Sequence, residues 1–470
     1  MIKMEKTKAA ERKEQLMPPV KNGWDRIKKK DEKKIYDFAK GYMDFMAVCK
    51  TEREVAAFAE KQLIKAGFES FDPQKPLKAG DRVYVNNRGK AVMAAVIGSD
   101  NISKGVDIAA AHIDSPRLDL KQHPLYEDSE LALFKTHYYG GIKKYQWVTI
   151  PLALHGVVVR SDGERVEINI GENDRDPQFV VTDLLPHLGR EQSKRPLGEG
   201  IKGEELNILI GSRPFNSDPE SERVKLNILN VLNEKYGIKD SDFVSAELEA
   251  VPAAKPVDIG FDRSLIGAYG HDDRCCAYPV LKAIMECKNP KRTAVAVLTD
   301  KEEIGSDGNT GLHSAYMKYF IEDIAENMGS KGRWVLSGSR CLSADVNAAF
   351  DPTFSEPFER NNASFINYGA VLTKYTGAGG KSSTSDAGAE FVGEISRIMD
   401  AKNVIWQTGE LGKVDFGGGG TVAKYVAELN VDVIDLGVPV LSMHSPFEVI
   451  SKLDLYMTFK AVEALFSSDR

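Results

Sequence analysis

The sequence predicts an α/β domain interrupted by a smaller β-rich domain. Toward both ends of the chain, short uniformly apolar runs alternate with segments of helical period, the pattern of a buried sheet flanked by helices. Between about residues 147 and 210 the pattern changes to short alternating segments separated by Gly, Asp and Pro, as half-buried strands require. An α/β, then β, then α/β order fits insertion into a host loop better than three consecutive domains, because loop insertions leave the host core intact. At 470 residues the chain has room for two or three domains of about 150 residues. The boundaries read as host residues 1–125, insertion 126–250 and host residues 251–470. Within the first of these, residues 1–34, rich in Lys and Glu, form a flexible arm.

From Ile35 the period is helical, and Thr51-Glu52-Arg53-Glu54 is a capping box for a second helix ending near Gly67. Residues 82–97 alternate around Asn86-Asn87-Arg88-Gly89, a hairpin pattern. Residues 106–111 read as a buried strand that runs into His112-Ile113-Asp114. In the insertion, residues 157–159 and 166–170 are strand segments. After Pro252 the α/β style returns, with strands at about 294–299, 341–346 and 433–441 and an apolar helical run over 275–284.

What ends these strands carries the chemistry, because α/β sheets place their sites at strand ends. The strand before His112 ends in His112 and Asp114. The strand at 294–299 runs into Asp300-Lys301-Glu302-Glu303. Leu342-Ser343-Ala344 leads to Asp345, and Val440-Leu441-Ser442-Met443 to His444. Gly270-His271-Asp272-Asp273-Arg274 opens the apolar helix. Each feature alone has an ordinary explanation: a hydrogen-bonded His, a solvated Glu pair, an Asp at a helix N-cap. Together, at the ends of apolar segments, they make the donor set of a hydrolytic Zn, Mn or Co centre. Two metals need one bridging carboxylate and terminal ligands on each. At period two His112 and Asp114 face the same way, so Asp114 can accept the second imidazole N–H and fix the tautomer. On an extended segment Glu302 and Glu303 point apart, so one can ligate a metal while the other acts as general base.

In this order the motifs His112-Ile113-Asp114, Asp272-Asp273-Arg274, Glu302-Glu303-Ile304-Gly305-Ser306, Ser343-Ala344-Asp345-Val346 and Met443-His444-Ser445-Pro446 resemble those of the M18 metallo-aminopeptidases, the aspartyl aminopeptidase group, over about residues 35–466. The chain is more distantly similar to the M42 aminopeptidases. The resemblance implies a three-layer α/β/α, phosphorylase/hydrolase-like di-zinc exopeptidase domain with an inserted β-rich dimerisation domain. It implies two divalent ions, zinc with Mn or Co as alternatives. His112 binds one ion, Asp272 bridges, Glu303 and Asp345 supply one terminal ligand each, and His444 binds the second ion. Glu302 is the implied general base and Asp114 orients His112. It further implies peptide substrates and a homo-oligomer, a dodecamer built from dimers. His155 of the insertion is the counterpart of a His that reaches a neighbour's active site, and Lys374 offers a cation to an acidic substrate side chain. The context Tyr269-Gly270-His271 departs from the acid-preferring members, so acidic specificity does not carry over. Another di-metal hydrolase, such as an M42-like aminopeptidase, a deacylase or a carboxypeptidase, would share these ligands.

Composition excludes other classes. Sixty-two Lys and Arg against 69 Asp and Glu give a net charge of −7, which does not suit nucleic acid as a partner. No run approaches the roughly 18 apolar residues of a membrane span, and the start lacks the apolar core of a secretory signal. Five cysteines, two adjacent at Cys275-Cys276, suit reduced thiols and a cytoplasmic setting rather than a disulfide framework. His-Glu-x-x-His and Gly-x-Ser-x-Gly do not occur, and the glycine-rich run before Lys381-Ser382 has Tyr375 where a phosphate loop needs its first Gly.

Overall fold

The computed structural model describes residues 7–17, 20–216 and 222–468. Its largest sheet has nine strands, in the order Glu69–Ser70, Arg82–Asn87, Ala91–Val96, Ala294–Thr299, Asp107–His112, Arg340–Ala344, Asp432–Gly437, Ala370–Thr373 and Trp406–Thr408. The middle of the sheet is parallel: Asp107–His112 lies between Ala294–Thr299 and Arg340–Ala344, with Thr299 opposite His112. Every residue of Asp107–His112 is buried, and alternate side chains serve opposite faces. Ala109 and Ala111 pack with the helices Lys29–Met46, Glu52–Lys65, His271–Glu286 and Lys452–Phe466, while Ile108 and Ala110 pack with Tyr316–Asn327 and Gly332–Ser337. The result is a three-layer α/β/α arrangement.

A seven-stranded antiparallel sheet holds the strands between Arg117 and Pro252, in the order Arg165–Ile170, Leu152–Val159, Glu247–Pro252, Arg117–Asp128, Leu131–Tyr139, Ile208–Gly211, Val180–Val181. The expected boundary at residue 126 therefore falls inside a strand, Arg117–Asp128, whose two halves both pair with Leu131–Tyr139. A third sheet of five strands, Val257–Ile259, Leu265–Ala268, Glu448–Ser451, Pro439–Leu441 and Asn347–Ala348, has no counterpart in the sequence reading. It arises where the single strand expected over 433–441 breaks. Asp432–Gly437 stays in the large sheet and Pro439–Leu441 leaves it. Gly437 permits the turn, since a Cβ there would lie 1.6 Å from the carbonyl oxygen of Asp345.

The capping box at Thr51 and Glu54 forms as read and opens the helix Glu52–Lys65. Of the expected arm, Lys8–Leu16 is an α-helix and Gly23–Asp25 docks on the host. There Gly23 N–H donates to the carbonyl of Asn367 at 2.6 Å, and the Trp24 indole to its side chain at 3.1 Å. The helix begins at Lys29, before Ile35. Among the described residues no helix is long and apolar enough to cross a membrane.

Candidate metal centre

Three neighbouring parallel strands end at one place. Their last residues, or those just beyond, are His112, Glu302 with Glu303, and Asp345. The start of His271–Glu286 brings Asp272, and the loop between Pro439–Leu441 and Glu448–Ser451 brings His444, whose φ is 62°. All five segments singled out in the sequence converge.

Asp272 lies at the centre. Its Oδ1 is 3.1 Å from His112 Nε2 and its Oδ2 is 3.1 Å from His444 Nε2. Asp345 Oδ1 stands 3.9 Å from His112 Nε2, and Glu303 Oε2 stands 3.5 Å from His444 Nε2. Glu302 Oε2 is 3.8 Å from His112 Nε2. Among the described residues, ligand atoms within 4.8 Å of one another form four overlapping groups: His112, Asp273 and Asp345; His112, Glu302 and Glu303; Asp272, Glu303 and His444; Asp273, Cys275 and Cys276. A carboxylate with each oxygen turned to a different imidazole has the shape needed to bridge two cations. Glu303 Oε1 and both carboxyl oxygens of Asp273 are buried without a hydrogen-bond partner, a costly state unless a cation faces them. The donor set, two imidazoles and several carboxylates, suits zinc.

The electrostatics fit the same picture. Burial pushes the carboxyls of Glu303 and Asp345 well above the usual range, and pushes Glu302 up to about 7 despite His112 beside it. Asp272 differs: although burial opposes its charge, hydrogen bonds from His112 and His444 hold it well below the ordinary carboxylate value.

Asp114 organises the His112 side. The Nδ1 of His112 lies 3.0 Å from the Asp114 carbonyl and 3.3 Å from its Oδ1, so the backbone shares the imidazole proton expected for the carboxylate alone. The same carboxylate accepts the N–H groups of Glu302 and Glu303, at 3.1 and 3.2 Å.

One expectation needs correction, and the remaining residues take the following places. Glu302 and Glu303 are not extended; Glu302–Ile304 is a 3-10 turn entered through Lys301 in the left-handed region, and the turn rather than a strand sets the two carboxylates. Asp272 and Asp273 do not cap the helix. They have non-helical backbone angles, and Gly270 occupies the N-cap. His155 does not join the cluster. It is buried in its own chain, with Nδ1 2.8 Å from Glu54 Oε1 and Nε2 3.0 Å from Glu172 Oε1, so both ring nitrogens are engaged. Lys374 is half-exposed, 3.6 Å from Asp386, and lines a cavity of about 290 Å³ with Leu372, Tyr375, Thr408 and Glu410.

Three contributors escaped the sequence reading. Glu448 is buried and accepts the N–H of His444 at 2.7 Å and of Asp272 at 3.1 Å, joining two segments 176 residues apart. Its one signal is a lone carboxylate in an apolar stretch four positions after His444. Ser115 Oγ donates to the Asp272 carbonyl at 2.6 Å. Tyr139 donates to Asp114 Oδ2 at 2.8 Å; nothing in its local sequence marks it.

With this geometry in place, comparison with known proteins gives one answer. The family model for the aminopeptidase I zinc metalloprotease (M18) matches residues 45–466. The probable M18 family aminopeptidase 1 of Clostridium acetobutylicum is 48% identical over 461 residues, covering 96% of this chain and 99% of its own. The crystal structure of the M18 aminopeptidase from Thermotoga maritima superposes with a TM-score of 0.91 at 46% identity, over 96% of this chain and 99% of that one. The S. cerevisiae mApe1 dodecamer shares the fold at 19% identity, with a TM-score of 0.74 over 92% and 96% of the two chains. The chain belongs to the M18 family of zinc metallo-aminopeptidases.

Proposed function

We propose that this aminopeptidase works with two divalent cations bridged by Asp272, and that Glu302 is its general base. The carrying observation is that the two oxygens of Asp272 lie 3.1 Å from the Nε2 atoms of two different histidines. His112 and Asp345 would hold one ion, His444 and Glu303 the other, with zinc favoured and Mn or Co able to occupy the same donors. When bound, the pair supplies Lewis acidity, lowering the pKa of water and polarising a carbonyl oxygen.

The chain's own groups move the protons. Glu302 stands beside His112 yet outside hydrogen-bonding range of it, leaving its carboxylate free to take a proton from the attacking water. It then returns that proton to the leaving amine of the first peptide bond. Asp114 holds the backbone N–H of both glutamates, so base and ligand keep a fixed spacing.

The substrates on this reading are peptides with a free N-terminus. A homo-oligomer, a dodecamer assembled from dimers through the inserted sheet, is supported by the dodecamer formed by yeast mApe1. A cytoplasmic setting is supported by five buried free cysteines. The test is a matrix of apo-protein loaded with Zn²⁺, Mn²⁺ or Co²⁺ against amino-acyl amides and their N-acetylated forms. Cleavage of the free amines alone is expected. Equal cleavage of the acetylated forms would overturn the aminopeptidase reading in favour of a deacylase or endo-acting hydrolase.

A further inference from the structure

The inserted sheet reaches the candidate metal centre through three consecutive residues, Tyr139-Gly140-Gly141, where the strand Leu131–Tyr139 ends. Each touches a different part of it. The Tyr139 hydroxyl donates to Asp114 Oδ2 at 2.8 Å, and Asp114 in turn faces His112 Nδ1 and anchors the N–H groups of Glu302 and Glu303. Gly140, with φ 76°, lies against Glu303. A Cβ there would stand 3.1 Å from Glu303 Oε2 and 3.3 Å from its Cβ, so a side chain at 140 would strain the backbone and press on Glu303. The Gly141 carbonyl accepts from His444 Nδ1 at 2.8 Å, which places the proton on Nδ1 and leaves Nε2 for a ligand.

This segment is itself held in place. The Arg117 guanidinium sits 3.8 Å from the Tyr139 ring centroid and pairs with Glu52 of the host helix and Glu249 of the inserted sheet, each at 3.3 Å. Arg117 and these two glutamates are buried.

We propose that Tyr139-Gly140-Gly141 is a positioning segment through which the inserted sheet orients both ligand histidines and Glu303 at once. The proposal rests on the two-metal reading above. It makes cation affinity depend on a strand outside the α/β/α domain, so strain or repacking of the inserted sheet is transmitted to the centre.

The test uses full-length Tyr139→Phe and Gly140→Ala, with Tyr138→Phe, on the same strand but partly exposed, as control. Zinc affinity is measured by chelator competition, ligand geometry by visible absorption of the cobalt-loaded protein, and integrity by elution volume and melting temperature. Losing a direct outer partner of a ligand costs about 10- to 100-fold in affinity; Tyr139 acts through Asp114, so Tyr139→Phe should weaken zinc by up to about 10-fold. For Tyr139→Phe the fold should be intact, the cobalt spectrum altered, and kcat lowered at little-changed KM. Tyr138→Phe should match the wild type. Tyr139→Phe retaining wild-type zinc affinity and cobalt spectrum overturns the proposal, whether or not Gly140→Ala folds. The wild-type stoichiometry separates the two ideas. A single ion in the wild type removes the two-metal reading, while the positioning role still stands or falls on whether Tyr139→Phe loosens that ion.

Discussion

Replacing Glu302 with Gln removes the proposed base while keeping its volume. Its carboxylate stands 3.8 Å from His112 Nε2, too far for a hydrogen bond. The N–H that ties residue 302 to Asp114 belongs to the backbone and survives the change. Because burial already disfavours the Glu302 carboxylate, the neutral amide should not lower stability, and the bound metal should stay. General-base catalysis is worth about 10²- to 10⁴-fold. At 1.36 kcal/mol per tenfold, that is a rise of about 2.7 to 5.4 kcal/mol in the barrier. The assay is steady-state hydrolysis of an amino-acyl chromogenic amide alongside metal content on the same samples. The expected result is kcat reduced by at least two orders of magnitude, KM little changed and metal retained. Near-full activity would refute the assignment. A loss of metal parallel to the loss of activity would instead make Glu302 a ligand.

Other perturbations separate the roles of the remaining residues. Asp272→Ala should abolish tight binding of both ions, whereas His444→Ala should leave about one tight ion per chain, read by metal analysis after dialysis. Ile108 is fully buried in the central parallel strand, and Ile108→Ala should cost about 2–5 kcal/mol by denaturant unfolding. Burial works against a charged His155, but hydrogen bonds to Glu172 and Glu54 overcome it and hold its pKa above the ordinary value. A raised folded-state pKa means the folded chain holds the proton more tightly than the unfolded one. The stability His155 adds should be fully present below the unfolded pKa of about 6.5 and lost as pH rises through the folded value. The difference in unfolding free energy between wild type and His155→Gln should shrink across that window; a difference that grows with pH would refute the pairing.

The large sheet was legible because its central strands are buried on both faces and read as continuous apolar runs, as at 107–112 and 294–299. Most of the proposed ligands were legible for the same reason, since His or carboxylate directly after such a run stands out. What the sequence hid depends on chain geometry that no periodicity encodes. The five-stranded sheet forms because the chain turns at Gly437 under the Asp345 carbonyl. Glu302 and Glu303 lie on a turn because Lys301 enters the left-handed region. Tyr139 and Glu448 act through partners 25 and 176 residues away, and a spacing that long leaves no local trace. The two partners of His155, Glu54 and Glu172, were equally hidden, because a His in an alternating strand reads the same whether it faces a neighbouring subunit or two glutamates of its own chain.

The central claim is that Asp272 bridges two ions. Anomalous diffraction at the zinc edge from crystals of the zinc-loaded protein tests it most directly. The account predicts two peaks about 3.5–4 Å apart, one on each oxygen of Asp272, with His112 and Asp345 on the first and His444 and Glu303 on the second. A single peak, or two peaks with Asp272 bound to only one of them, would contradict it.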